Sequence, residues 1–339
     1  MTSQLTALSG ATVTRNGVAV PPIDEILEYA CRAPSVHNTQ PWRWRVRGHR
    51  IDLFADFKRQ LVYADPARRD LLISCGAALH HLQMAAAGLG WAARVRRLPD
   101  PSDERHLATV TLSPARLDGA DHDMLEAIRA RRTDRRRLTS WPVPPERLVS
   151  LSATGSIWGA QVLPVTGEVA KSRIYSLTQR ASVLQNRSVR YVEELAAWTN
   201  RTARVDGMGP EVIPARDELS AADSLNRRFA NGTLQDPEID KEPSEDGLLI
   251  VCTSSDDVIS RVRAGEALSA VWLRATQDDM ALVPLSQAIE VDATRDELQN
   301  DVLGGLAYPQ LLLRVGWLPL SRNELPMTAR RPLSEVVER

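Results

Sequence analysis

Two stretches of this chain repeat one another at a constant separation, and that repetition constrains the fold more than any other feature. Gly76, Ala78, Leu79, Leu82 and Ala86 recur as Gly265, Ala267, Leu268, Val271 and Ala275. The first set lies in an apolar run, Asp70 to Leu89, closed by Gly88 and Gly90, and the second lies in Val258 to Thr276. Both runs predict long helices. Small residues and leucines are common on packed helices, so the match supports a duplication without establishing it.

The elements around the two runs follow the same order. In the first half, Ile23, Ile26, Leu27 and Ala30 recur at helical spacing between Pro22 and Ala33, and Pro34 ends that helix. Trp42–Val46 and Ile51–Ala55 read as a hairpin around Gly48, and Ala92–Arg97 and His106–Leu112 as strands after the apolar helix. The second half offers a short helix (Asp123–Ala130), a basic loop (Arg131–Arg137), a helix from Pro145, a buried strand (Leu248–Cys252), the long helix and a final strand (Gln310–Val315). The expectation is an α+β protein, an α/β sandwich of two tandem halves, residues 1–118 and 119–339. Between Trp198 and Asp246 glycine, proline, asparagine and charged residues accumulate, as in Asp206-Gly207-Met208-Gly209-Pro210. That composition suits a cover over a site and a plain surface excursion equally well.

Composition excludes several classes. A chain of 339 residues, 43% of them hydrophobic, can bury one or two sizeable cores. No run of eighteen apolar residues occurs, and Met1–Gly10 lacks a basic start and apolar stretch, so a cytoplasmic protein without a membrane partner is expected. Arginine supplies nearly all basic charge, with lysine only at positions 58, 171 and 241. Acidic residues balance it to a net charge of −1, which does not suggest a nucleic-acid surface. Cys31, Cys75 and Cys252 are too scattered for a disulfide framework or a zinc site. His80 and His81 are adjacent on a helix and point to different faces, so no metal site is expected there. Gly88-Leu89-Gly90 follows a helix and lacks the third glycine of a dinucleotide fingerprint.

Four segments carry candidate chemistry. In Ala33-Pro34-Ser35-Val36-His37-Asn38-Thr39-Gln40-Pro41-Trp42-Arg43-Trp44 a polar loop leads into an aromatic strand. Its hydroxyl, amide and backbone groups suit either local capping or the grip of a flat heteroaromatic ring. Arg131-Arg132-Thr133-Asp134-Arg135-Arg136-Arg137 suits a phosphate dianion or a solvated basic run. Arg330 and Arg331 lie in a basic tail, after Leu313-Arg314-Val315-Gly316-Trp317, and Val283-Pro284-Leu285-Ser286-Gln287 reads as a turn after the second long helix.

The first of these segments resembles the PSxxNxQPW signature of the nitroreductase-like flavoproteins, and the second resembles their RRSxR segment with Thr133 in place of serine. The resemblance covers most of the chain apart from the N-terminal segment and the Trp198–Asp246 stretch. It implies that Pro34, Ser35 and Asn38 contact a flavin ring and ribityl chain. Arg131, Arg132, Thr133 and Arg135 then hold the phosphate of FMN, and Arg330 and Arg331 close on it. Ser286 and Gln287 stand where the family brings groups to the reactive edge of the ring, although the family's glycine is missing. The first half has only the ring loop and the second only the phosphate loop. In homodimeric members the two motifs come from different subunits, so the resemblance implies an intramolecular pseudo-dimer, a monomer with one FMN per chain. Within the superfamily the chain is most similar to the Acg branch, whose members have duplicated halves and a lid over the flavin.

The expected function is flavin-mediated reduction of a small, electron-poor acceptor, with NAD(P)H as candidate donor and no side-chain catalyst. The alternative is an FMN-sequestering protein whose lid excludes donor and acceptor. A third reading, an interaction module that binds no flavin, requires the purified protein to be colourless.

Overall fold

The structure, a computed structural model, describes residues 14–15, 18–116, 119–199, 201, 204–215, 225, 227–235, 246–319 and 325–339. The expected half boundary at 118 and parts of the Trp198–Asp246 stretch lie outside the described residues.

A short ribbon of β1 (Thr14–Arg15) and β2 (Val18–Ala19) precedes α1 (Ile23–Cys31). The helix buries Ile26, Leu27 and Ala30, three of the four positions that its spacing marks, and leaves Ile23 partly buried. Then β3 (Trp42–Arg47) and β4 (Arg50–Ala55) pair antiparallel around Gly48, whose φ of +58° suits glycine. They lead to α2 (Arg69–Gly88), β5 (Trp91–Arg97) and β6 (His106–Pro114). The second half runs α3 (Gly119–Ala130), α4 (Pro145–Ser156), β7 (Gln161–Pro164), α5 (Glu168–Asn186), α6 (Val189–Thr199), β8 (Gly247–Thr253) and α7 (Val258–Gln277). It ends in β9 (Met280–Leu285), α8 (Gln287–Glu290), α9 (Asp292–Asp301), β10 (Tyr308–Trp317), α10 (Leu333–Val336) and β11 (Val337–Glu338).

The strands form one sheet in the order β11-β3-β4-β6-β5 and another in the order β7-β8-β10-β9. Without β11, each sheet places the strand pair that precedes its long helix beside the pair that follows it, and all these neighbours are antiparallel. Helix α2 packs on the first sheet, α7 on the second, and the helices pack on each other. By length and composition α2 could cross a membrane, but 83% of its most apolar window is buried inside the protein.

The repeated glycines occupy the helix crossing. A Cβ on Gly76 would strike the Val262 carbonyl, and one on Gly265 would strike the Ile73 carbonyl. Ile73 and Val262 stand apart in the chain by the same interval as the glycines, so the contact is reciprocal. Gly76→Ala is therefore expected to lower stability by about 1–3 kcal/mol through overpacking, read from the midpoint and slope of urea unfolding. One turn further on, His80 Nδ1 and His81 Nδ1 both meet Ser269 Oγ, at 2.7 and 2.8 Å. Burial holds both imidazoles neutral, His80 pushed down to about 3.

Two sequence expectations need correction. Of the segment read as a turn, Val283–Leu285 end the edge strand β9, and Ser286 and Gln287 are the N-cap and first residue of α8. Pro284 pairs with Leu313 in register, which an outer strand tolerates because only one side needs hydrogen-bond donors. Gln310–Val315 belongs to β10 but is not the last strand: the tail crosses back, and β11 joins β3 in parallel at the edge of the first sheet.

Candidate functional site

The C-terminus of α1, the loop before β3, the start of α2, the basic loop after α3, β9, the Trp198–Asp246 stretch and the tail surround one cavity of about 710 Å³. A volume of this size suits a ligand of cofactor dimensions. Pro34, Ser35, Asn38, Arg131, Arg132, Thr133, Arg135, Ser286, Gln287, Arg330 and Arg331 all line it. The structure thus brings together every site position singled out in the sequence.

The loop before β3 keeps its shape through left-handed backbone at His37, Asn38 and Gln40, with φ of 45°, 56° and 48°. Ser35 Oγ accepts Gln40 N–H at 3.0 Å, and Val36 N–H donates to Ser74 Oγ on α2 at 3.1 Å. Asn38 is a strut as well as a wall: its Nδ2 donates to Gly207 O at 3.0 Å and Ala329 O at 3.1 Å. Gln40, which sequence reasoning left out, donates to Val205 O at 2.8 Å and accepts Arg331 N–H at 2.9 Å. One loop therefore fastens Val205 and Gly207 on one side and Ala329 and Arg331 of the tail on the other. Arg59 adds to this fastening with an ion pair to Asp206, which Arg201 also engages at 2.6 Å.

Guanidinium groups gather at the end of α1. Arg330 Nε donates to Cys31 O at 3.0 Å and its Nη2 to Arg32 O at 3.1 Å, while Arg131 Nη2 donates to the same Arg32 carbonyl at 3.1 Å. These are helix C-terminal carbonyls, which favour cations. They do not neutralise the cluster. Burial, then Arg330 and Arg132, hold Arg131 well below the usual guanidinium range, and burial pushes Arg330 down to about 10. Arg131 Nε and Arg331 Nη1 are buried with no hydrogen-bond partner among the described residues. Arg131 also lies over the Trp272 ring, 4.5 Å from its centroid. Within the basic loop, Arg136 instead chelates Asp134, with Nη2 to Oδ2 at 2.7 Å, and so shapes the loop.

The remaining wall holds a second polar set. Glu290 accepts from Ser286 Oγ at 2.6 Å, from Gln185 Nε2 at 2.6 Å and from Arg227, and Gln287 Nε2 donates to Gln185 Oε1 at 2.9 Å. Arg227 Nη1 also reaches Tyr191 OH at 2.7 Å. His37 stands edge-on to Phe229, and burial, then Arg227 and Arg135, keep its imidazole neutral. Asp70 completes this set. His37, Asp70, Arg227 and Phe229 were missed because nothing local in the sequence marks them; they meet only through the fold.

No family model matches the sequence. The chain is 42% identical over 318 residues to a "Putative NAD(P)H nitroreductase" of Mycobacterium tuberculosis, covering 92% of this chain and 90% of that protein. It is 34% identical over 323 residues to "Putative NAD(P)H nitroreductase acg" of the same organism, covering 93% and 94%. Among solved structures, the FMN-dependent nitroreductase NfnB from Mycobacterium smegmatis in complex with NADPH superposes with a TM-score of 0.42 at 14% identity, covering 65% of this chain and 98% of that one.

Proposed function

This chain belongs to the NAD(P)H nitroreductase family that includes acg, and from that premise we propose that its cavity holds one FMN and that the protein is a flavin-dependent reductase of small, electron-poor acceptors. The observation that carries the reading is Arg131, buried against the cavity, held well below the usual guanidinium range by burial and then by Arg330 and Arg132, with its Nε lacking a hydrogen-bond partner among the described residues. A phosphate dianion supplies opposite charge and accepts several short charge-assisted bonds. Arg131, Arg132, Thr133 and Arg330 would hold that phosphate, with Arg135 and Arg331 beside them. Pro34, Ser35 and Asn38 would face the ring system, with Ser286 and Gln287 across the cavity. When bound, FMN supplies the redox chemistry, and the protein supplies binding, orientation and electrostatics.

The matched strand orders and the reciprocal glycine crossing support a duplication fused into one pseudo-dimeric monomer. On this reading the ring loop comes from one half, the phosphate loop from the other, and each chain carries a single site. The Trp198–Asp246 stretch acts as a lid, with Met208, Val212, Leu225 and Phe229 in the cavity wall.

Those four side chains also favour a second reading, in which the lid stays shut and the protein sequesters FMN without turnover. FMN titration followed by absorbance should saturate near one FMN per chain. Anaerobic mixing with NADPH, and separately NADH, should then bleach the flavin band. Bleaching by either donor rules out pure sequestration; a band that both leave untouched rules out an NAD(P)H-driven reductase and favours the sequestering reading. Two FMN per chain would contradict the single composite site.

A further inference from the structure

Asp70 opens α2 and lines the cavity, yet it is 6% exposed and its Oδ2 has no hydrogen-bond partner among the described residues. The charged groups acting on it are Asp65, Glu290, Arg227 and Arg69. Both cations are committed elsewhere. Arg69 gives Nη1 and Nη2 to Asp256 and Nη1 also to Gln310, while Arg227 serves Glu290 and Tyr191. The helix N-terminus gives Asp70 little help, because Asp65 already accepts Leu71 N–H at 2.8 Å. Burial pushes the Asp65 carboxyl up to about 7 against that amide bond, and raises Asp70 well above the usual carboxylate range, so the proton of this crowded set rests first on Asp70. Burial first, then Asp65 and Glu290, push the Asp70 carboxyl well above the usual range. A buried acid whose O–H finds no acceptor among the described residues is a donor left for a ligand.

We propose that Asp70 is the proton-bearing group of this cavity, and that its Oδ2 donates a hydrogen bond to a carbonyl or nitro oxygen of a flat, conjugated ligand. Such a bond polarises that oxygen toward accepting electrons. The assignment rests on the cavity being the flavin site, and the ligand oxygen belongs either to the FMN ring or to a second, electron-poor molecule beside it.

Infrared spectroscopy of the whole chain at pH 7 tests this. The wild type should show the C=O stretch of an un-ionised carboxylic acid, Asp70→Asn should lack it, and ligand should shift it to lower frequency. A shift with FMN alone assigns the bond to the ring; a shift only after nitrobenzene is added assigns it to the acceptor. No band in the wild type, a band that survives in Asp70→Asn but disappears in Asp65→Asn, or a band that neither ligand moves would overturn the proposal. A wild type that shows the band, takes up no FMN and still responds to nitrobenzene would count against the flavin and keep Asp70. Should Asp70→Asn fail to fold, urea unfolding of the wild type decides. A carboxyl raised in the folded state adds stability below its unfolded value near ~4, and loses it as pH rises through its folded value. Stability that does not decline on that side would equally overturn the proposal.

Discussion

An Arg131→Met protein should bind FMN about 10- to 100-fold more weakly than wild type while its ligand-free form loses no stability. A charge-assisted hydrogen bond contributes about 1.5–3 kcal/mol, which sets the affinity loss. The sign for the free protein follows from what Arg131 does without a ligand. Among the described residues its Nε has no hydrogen-bond partner, its neighbours Arg132 and Arg330 repel it, and its favourable contacts are one carbonyl and the Trp272 face. Methionine keeps the packing on that ring and removes a buried charge whose desolvation costs several kcal/mol. Arg330→Met should weaken FMN similarly but also destabilise the free protein by about 1–2 kcal/mol, because Arg330 donates to the Cys31, Arg32 and Ala33 carbonyls that end α1. Calorimetric titration with FMN and thermal unfolding of both ligand-free variants give the comparison. Affinity unchanged in both would remove the phosphate from this cluster.

The parts of this site legible in the sequence are those whose chemistry is contiguous. Pro34, Ser35 and Asn38 sit within five residues, and the four basic-loop positions within another five, so a single loop displays each group. The strands and helices of the first half were equally legible, because apolar spacing there follows one period at a time. What escaped was made by contacts between distant segments. Glu290 looks like an ordinary acidic residue at a helix end until the fold delivers Gln185 of α5 and Arg227 to it, with Tyr191 of α6 engaging Arg227 in turn. Asp70 looks like a first-turn acid favoured by the helix dipole, and its isolation appears only once Asp65 is seen to take the Leu71 amide and Asp70 Oδ2 is seen to have no partner among the described residues. Pro284 misled in a different way: proline marks turns more often than strands, and only the edge position of β9 makes it compatible with a sheet. The tail was read as closing on the phosphate, and Arg330 does line the cavity. The same segment also ends as a strand of the first sheet, tying the two halves together.

Breaking the Glu290–Arg227 pair should release the lid. Their side chains are 4% and 9% exposed, and although burial works against it, Glu290 holds Arg227 above the usual guanidinium range. Removing one partner of such a buried pair costs about 3–5 kcal/mol, chiefly by stranding the other charge. Glu290→Gln is therefore expected to lower unfolding stability by that amount and to speed hydrogen exchange in Met208, Val212 and Phe229. The Arg227→Met, Glu290→Gln double variant should recover much of the stability, since neither charge is left stranded, while keeping the faster exchange. If the lid limits access, both proteins should also be bleached by NADPH faster than wild type; unchanged exchange would separate this ion pair from lid closure. The same substitution reaches Asp70. It removes one of the two carboxyls that oppose Asp70 ionising and leaves Arg227 without its anion. Asp70 then becomes the nearest candidate to neutralise that guanidinium, so the carboxylic-acid band should weaken at pH 7 in Glu290→Gln and return in the double variant. On the lid reading, the ion pair that holds Arg227 would then also keep the cavity's acid protonated, which ties access to the site and the state of its proton to one carboxylate.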